Sequence, residues 1–225
     1  MEWIEDYQLF LFDFDGLLVN TEEIHYKAYQ KTCLSYGWEL GMGFPEYCQL
    51  AHYRAEGLME KLFGRIPELK EMGWEPFYKT KTDTIFQLIN EGEVQLMPGV
   101  EKLLTKLQAL NKKRCVVTHS PDRLINPIRK KHPILDTIPI WITREFYTQP
   151  KPHPECYKTS IERLAVDGDR IVGFEDSPRG LKALMGTAAK PVIISSIPYP
   201  EITEFVKNGA LHYPTFEAIP HNRLG

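Results

Sequence analysis

The sequence predicts an α/β fold: a parallel sheet flanked by helices, with a block of helices set in after the first strand. Three observations carry this. From Val100 onward, short apolar runs alternate with amphipathic helical stretches, the pattern of βαβ units and a parallel sheet. Between Asn20 and Gly92 no strand pattern occurs. The chain also opens on an apolar run, Leu9 to Phe12, that ends in Asp13-Phe14-Asp15-Gly16.

The opening run has the length of a strand buried on both faces, although a buried helix shares that short-range pattern. On a strand, alternate residues share a face, so Asp13 and Asp15 point the same way. Gly16 lets the chain turn sharply and brings backbone N–H groups close to a ligand. Two neighbouring carboxylates repel and resist burial unless a cation offsets them. Alone, the motif fits a solvated Asp-Gly turn equally well.

Asn20 is placed to cap a helix running to about Tyr36, with Glu23 reaching back as in a capping box. Pro45 and Pro76, suited to first helical turns, start two further helices. One carries Cys48, Ala51, Leu58, Met59, Leu62 and Phe63, the other Phe77, Ile85, Phe86, Leu88 and Ile89. Val100, Leu103, Leu104, Leu107 and Leu110 form the apolar stripe of a helix. Strands follow at Cys115–Val117, Ile138–Ile142, Ile171–Phe174 and Pro191–Ser195, with helices over Pro121–Lys131, Pro154–Ala165 and Pro178–Leu184 between them.

The bulk properties narrow the class. The chain has 225 residues, which suits one large domain or one domain with an insertion. A hydrophobic share of 43% and a charged share of 25% are ordinary for a soluble globular protein. The net charge of -3 gives no sign of a nucleic-acid-binding surface. The four cysteines, Cys33, Cys48, Cys115 and Cys156, form no Cys-x-x-Cys pair. That argues against zinc and for reduced thiols in an intracellular compartment. The acidic N-terminus lacks the basic region of a signal peptide, and no apolar run reaches membrane-spanning length. A cytoplasmic protein without nucleic-acid or membrane partners is expected.

In open parallel sheets, ligands bind at the carboxyl ends of the strands. Asp13 and Asp15, Thr118 and Ser120, and Glu175 and Asp176 each follow a predicted strand, and Lys151 lies in the loop after another. Each alone is an ordinary solvated loop residue. Together, on one edge of one sheet, they describe a site.

At these residues the chain resembles the haloacid dehalogenase-like phosphohydrolase superfamily, in the subgroup with a small helical cap inserted after the first strand. The matching segments are Asp13-Phe14-Asp15-Gly16, Val117-Thr118-His119-Ser120, Lys151-Pro152-His153-Pro154 and Gly173-Phe174-Glu175-Asp176-Ser177, in the family's order. The resemblance covers essentially the whole chain. It implies a Rossmann-like α/β core, residues 1–19 and 95–225, with a helical cap, residues 20–94. Because the helical block enters and leaves the core only near Asn20–Thr21 and Leu96–Gly99, a hinge is expected there.

The resemblance also implies an activity: a Mg²⁺-dependent phosphatase acting on a small phosphorylated metabolite through an aspartyl phosphate. Asp13 would be the nucleophile, and Asp15 the general acid and then base. Asp13, the carbonyl of Asp15, Asp176 and Glu175 would hold Mg²⁺, which favours such hard oxygen ligands. Gly16, Thr118 and the His119 N–H would bind the phosphoryl oxygens, and Lys151 would balance charge and hold Asp13. The presence of Asp15 favours phosphoryl transfer over dehalogenation. Two departures stand out: Asn20 where many relatives have Asp, and His119 where small residues or Asn are common. His25, Arg54 and Lys81 fall where the β-phosphoglucomutase branch places cap-side substrate contacts, although a basic residue on a surface helix is ordinarily just solvated. A phosphomutase of that kind is the enzymatic alternative, and a binding or regulatory protein that lost catalysis is the alternative from another class.

Overall fold

The computed structural model describes residues 1–53 and 55–225, and their side chains except those of 53, 55 and 56. The described residues pack as two units: Met1–Val19 with Leu96–Gly225, and Asn20–Gln95.

The first unit is built on six parallel strands: β1 (Leu9–Phe12), β2 (Lys113–Val117), β3 (Ile140–Ile142), β4 (Ile171–Glu175), β5 (Lys190–Ile194) and β6 (Leu211–Tyr213). Their order is β3-β2-β1-β4-β5-β6. The most apolar strand is central because both its faces are covered. Leu9 and Leu11 pack with Cys115, Val117, Cys156 and Tyr157. Phe10 and Phe12 face the other way, where Phe12 stacks on Phe174 at 5.3 Å and Phe174 meets Phe216 at 5.3 Å. A strand buried on both faces reads as a continuous apolar run for this reason. The chain builds outward from β1 to β2 and β3, then crosses to β4, β5 and β6 on the other side. That reversal opens a crevice at the carboxyl ends of β1 and β4.

The second unit is helical: α1 (Thr21–Ser35), α2 (Phe44–Tyr53), α3 (Ala55–Arg65), α4 (Pro67–Met72) and α5 (Trp74–Glu91). Tyr29 on α1 meets Phe77 on α5 at 6.1 Å and Tyr47 on α2 at 5.7 Å, and Trp74 adds to the same aromatic centre. The helix expected from Pro45 is two helices, α2 and α3. Gly73, at φ 90°, then separates α4 from α5 in a conformation only glycine adopts readily. The capping box at Asn20 does not form. Its Oδ1 accepts from the Gln95 N–H at 2.7 Å instead, and its Nδ2 donates to Glu23 Oε2 at 3.1 Å. Gln95 thereby joins the helical unit.

In the first unit α6 (Val100–Ala109), α7 (Asp122–Lys131), α8 (Glu155–Leu164), α9 (Pro178–Met185) and α10 (Ile202–Lys207) flank the sheet. Strand β6, α10 and a short helical turn at Glu2–Asp6 go beyond the elements read from the sequence. Among the described residues, no helix is long and apolar enough to cross a membrane.

Candidate active site

Four adjacent strands, β3, β2, β1 and β4, deliver the polar residues to one edge of the sheet. Because all run parallel, their carboxyl ends share that edge. Asp13 follows β1 directly, and its N–H donates to the Phe174 carbonyl of β4 at 3.0 Å. Lys151 arrives from the loop after β3 and is buried. Its ammonium donates to Asp13 Oδ1 at 2.6 Å and to the Val117 carbonyl at 2.9 Å, and lies 2.7 Å from Glu175 Oε1.

The charges are uneven. Asp13, Glu175 and Asp176 are all buried, and each offers an oxygen within 4.8 Å of the others. The Lys151 ammonium contacts two of them, Asp13 and Glu175. Burial works against the Lys151 cation, but Asp13 and Glu175 outweigh it and hold its pKa above the usual lysine range. Burial, opposed by Lys151 and reinforced by Asp13, pushes the Glu175 carboxyl up. Glu175 Oε1 also accepts from the Tyr157 hydroxyl on α8, whose ring lies 5.0 Å from the Lys151 ammonium. Its Oε2 is buried and accepts no hydrogen bond among the described residues. The donor set suits Mg²⁺: hard oxygens only, at separations compatible with an octahedral site whose ligand oxygens stand roughly 3–4 Å apart.

Asp15 is held from the β2 side. Its Oδ2 accepts from Ser120 Oγ at 2.6 Å and from Thr118 Oγ1 at 3.1 Å. Thr118 Oγ1 in turn accepts from the Ser120 N–H at 3.0 Å. The structure thus brings Asp13, Asp15, Thr118, His119, Lys151, Glu175 and Asp176 to one end of the sheet. It places the Thr118 hydroxyl on Asp15, where the sequence reading expected a phosphoryl contact.

Sequence reasoning missed three residues. Tyr157 reads as an ordinary core position on a helix, and nothing local marks its hydroxyl. Tyr147 sits in a loop; its hydroxyl reaches back to residues 118 and 119. Gly180 lies in the first turn of α9, where an added Cβ would stand 1.9 Å from Glu175 Oε2. The signal for Gly180 is a glycine inside a helical pattern, which costs about 1 kcal/mol relative to alanine and so calls for a packing reason.

Of the three basic residues expected on the cap, His25 and Lys81 fall within the helical unit. Arg54 lies outside the described residues. Lys81 is not solvated: it is 2% exposed, 3.1 Å from His25 Nδ1, and packed over the rings of Tyr29 and Tyr78 at 4.7 and 5.1 Å. Burial pulls the Lys81 ammonium down to about 8, against the attraction of Glu22. Burial and then the Lys81 charge depress the His25 imidazole to about 4. Burial alone would raise Glu22, but His52, His25 and Lys81 outweigh it and hold that carboxyl at about 2. A charged lysine can only donate, so His25 Nδ1 accepts and its ring proton sits on Nε2.

The family model described as haloacid dehalogenase-like hydrolase matches residues 10–192. The chain belongs to the haloacid dehalogenase-like hydrolase family. Within it, the chain is 25% identical over 190 residues to Protein CbbY of Cereibacter sphaeroides, covering 81% of this chain and 82% of that one. It is 27% identical over 181 residues to the phosphorylated carbohydrates phosphatase of Thermotoga maritima, covering 77% and 78%. The solved β-phosphoglucomutase of Clostridium difficile shares the fold at a TM-score of 0.67 and 23% identity, over 96% of this chain and 94% of that one. The haloacid dehalogenase-like fold thus accounts for both units, core and helical insert.

Proposed function

We propose that this hydrolase is a Mg²⁺-dependent phosphatase for a small phosphorylated metabolite, of the sugar phosphate class, and that it works through an aspartyl phosphate on Asp13. The observation that carries the reading is the buried Asp13–Lys151–Glu175 cluster beside Asp15. The name of the Thermotoga maritima relative supports the substrate class.

Lys151 occupies Asp13 Oδ1 and leaves the other oxygen to attack phosphorus. The new bond is Asp13 O–P, and the bond that breaks joins phosphorus to the leaving oxygen. Asp15 gives that oxygen its proton, then takes one from the water that attacks the aspartyl phosphate. Water's oxygen leaves with the phosphate, and Asp13 is regenerated. Bound Mg²⁺, held by Asp13, Asp176, Glu175 and the Asp15 carbonyl, would neutralise charge on the phosphoryl oxygens.

The contacts of Asp15 fit its two duties. Ser120 and Thr118 both donate to Oδ2 and fix the orientation of the carboxyl. A substrate phosphoryl group that draws the Thr118 hydroxyl to itself removes one donor and makes it easier for Asp15 to hold a proton. Gly16 and the His119 N–H complete the phosphoryl contacts. His25, Arg54 and Lys81 would recognise the part of the substrate remote from the phosphate.

The test is phosphate release across sugar phosphates, phosphoglycolate, nucleotides and p-nitrophenyl phosphate, with Mg²⁺ and with EDTA. The expected result is Mg²⁺-dependent release, lost on chelation and restored by adding Mg²⁺, with a preference for sugar phosphates. Isomerisation of β-glucose 1-phosphate without net phosphate release would make the protein a mutase. No turnover of any phosphate ester would leave a binding protein.

A further inference from the structure

The peptide between Thr118 and His119 has its two ends in different surroundings. Its carbonyl oxygen accepts a hydrogen bond from the Tyr147 hydroxyl at 3.0 Å, in a buried position. Its N–H belongs to His119, and among the described residues no protein group accepts it. In a trans peptide the C=O and N–H point in opposite directions. A hydroxyl that grips the oxygen therefore sets the direction of the hydrogen, away from Tyr147.

Tyr147 is itself fixed. A phenol has one proton to give, and a carbonyl can only accept, so that proton goes to the Thr118 oxygen. The phenol oxygen then accepts from His119 Nδ1 at 3.0 Å, which places the ring proton of neutral His119 on Nδ1. The result is a closed loop: His119 ring to Tyr147 hydroxyl, Tyr147 hydroxyl to Thr118 carbonyl, and Thr118 by its peptide bond back to His119. Further bonds clamp the loop. The Thr118 N–H donates to the Ile142 carbonyl at 3.0 Å, and Arg144 donates to the Tyr147 carbonyl at 3.0 Å. Tyr147 is 5% exposed, and burial raises its phenol, so it keeps the proton it donates.

We propose that Tyr147 is a positioning residue for phosphoryl transfer, fixing the Thr118–His119 peptide so that the His119 N–H stays aimed at the phosphoryl group. This rests on the reading of that peptide as part of the phosphoryl site. Donors held in place before the reaction stabilise developing charge without reorganising, which is where much of an enzyme's rate comes from. Tyr147 would act on the rate without touching substrate.

The experiment compares Tyr147→Phe and Thr118→Val with the wild type. It uses p-nitrophenyl phosphate turnover and inhibition by orthovanadate, which takes the five-coordinate geometry of the transferring group. Loss of one aimed donor outright costs about 10²–10³ in kcat, and misaiming it should cost less, about tenfold. Tyr147→Phe should lower kcat by that factor and weaken vanadate by the same factor, with KM within about twofold, the signature of a contact made in the transition state alone. A purely structural role would lower the yield of folded enzyme and leave vanadate inhibition unchanged. Wild-type kcat and vanadate inhibition in Tyr147→Phe, with Thr118→Val impaired, would overturn the proposal alone. Wild-type behaviour of both Thr118→Val and Tyr147→Phe would overturn the phosphoryl-site reading and the proposal with it. Should Tyr147→Phe not fold, His119→Ala decides, since it keeps the N–H and the phenol but loosens one hydrogen bond. A paired loss of about threefold in kcat and vanadate binding supports the proposal, and unchanged values overturn it.

Discussion

The Lys151 ammonium stands 2.6 Å from Asp13 Oδ1, and both groups are buried although 138 positions separate them in sequence. A buried carboxylate this close to a cation is held in one orientation, as the proposed attack by Asp13 requires. Lys151 also lies 2.7 Å from Glu175 Oε1, so loss of Lys151 would leave two buried carboxyls without it, and breaking a buried pair ordinarily destabilises by about 3–5 kcal/mol.

Asp13→Asn is therefore expected to abolish turnover while the chain stays folded, since the amide keeps the shape and can still accept from Lys151 but is a far poorer nucleophile. Turnover on p-nitrophenyl phosphate and circular dichroism check both halves. Substantial activity in the pure variant would rule out a covalent intermediate on Asp13.

Asp15→Asn separates the two chemical steps. p-Nitrophenolate leaves without a proton, so the first step survives, whereas water still needs a base in the second. Stopped-flow mixing with p-nitrophenyl phosphate should show a burst approaching one equivalent of phenolate, then near-silence. Steady turnover without a burst would remove Asp15 from the second step.

Gly180→Ala probes the room left for Glu175. The new Cβ would stand 1.9 Å from Oε2 and 2.2 Å from Cδ of that carboxyl, so the carboxyl that meets Lys151 and Tyr157 must shift. Overpacking of this kind costs roughly 1–3 kcal/mol. A lower melting temperature and a kcat reduced by at least about tenfold are expected. Unchanged values of both would show that Glu175 has slack.

The helical unit should carry its own pH dependence. His25 sits at about 4 when folded, against 6.5 for the free side chain, so between those values the unfolded chain binds a proton that the folded chain refuses. Stability then falls as pH drops from 6.5 toward 4, by on the order of 2 kcal/mol for a partly exposed ring. Glu22, at about 2 against 4.5, adds its loss as pH falls from 4.5 toward 2. Lys81, at about 8 against 10.5, makes stability rise between pH 8 and 10.5. Urea midpoints for the wild type and His25→Gln at pH 7, 5.5 and 4 check this. The variant should lose less stability than the wild type on acidification, and parallel curves would clear His25 of the effect.

What the sequence shows depends on how far each signal travels along the chain. Strand β1 and its neighbours are legible because burial on both faces leaves uninterrupted apolar runs. The acids and hydroxyls are legible because each follows such a run. Tyr147 and Tyr157 are not, because their hydroxyls matter only through partners that folding brings together, Tyr147 with Thr118 and Tyr157 with Glu175. Lys81 misleads in the opposite sense: a lysine on an amphipathic helix reads as solvated, and only the aromatic packing of Tyr29 and Tyr78 shows it enclosed. Strand β6 is three residues long, too short for a period to declare itself.

Where the chain leaves the core and returns, Val19 and Leu96 pair as an antiparallel bridge, and just beyond them Asn20 and Gln95 exchange hydrogen bonds. The insert thus begins and ends at one spot, like a page bound at a single seam. The entropy of closing a loop grows only by about 0.6 kcal/mol per doubling of its length, so the core is nearly indifferent to how long the inserted passage is. A lineage, or an engineer, can exchange everything between those two pairs for another sequence and leave the catalytic end of the sheet as it was. The inserted passage can then change by recombination at its two ends rather than by gradual revision of the core.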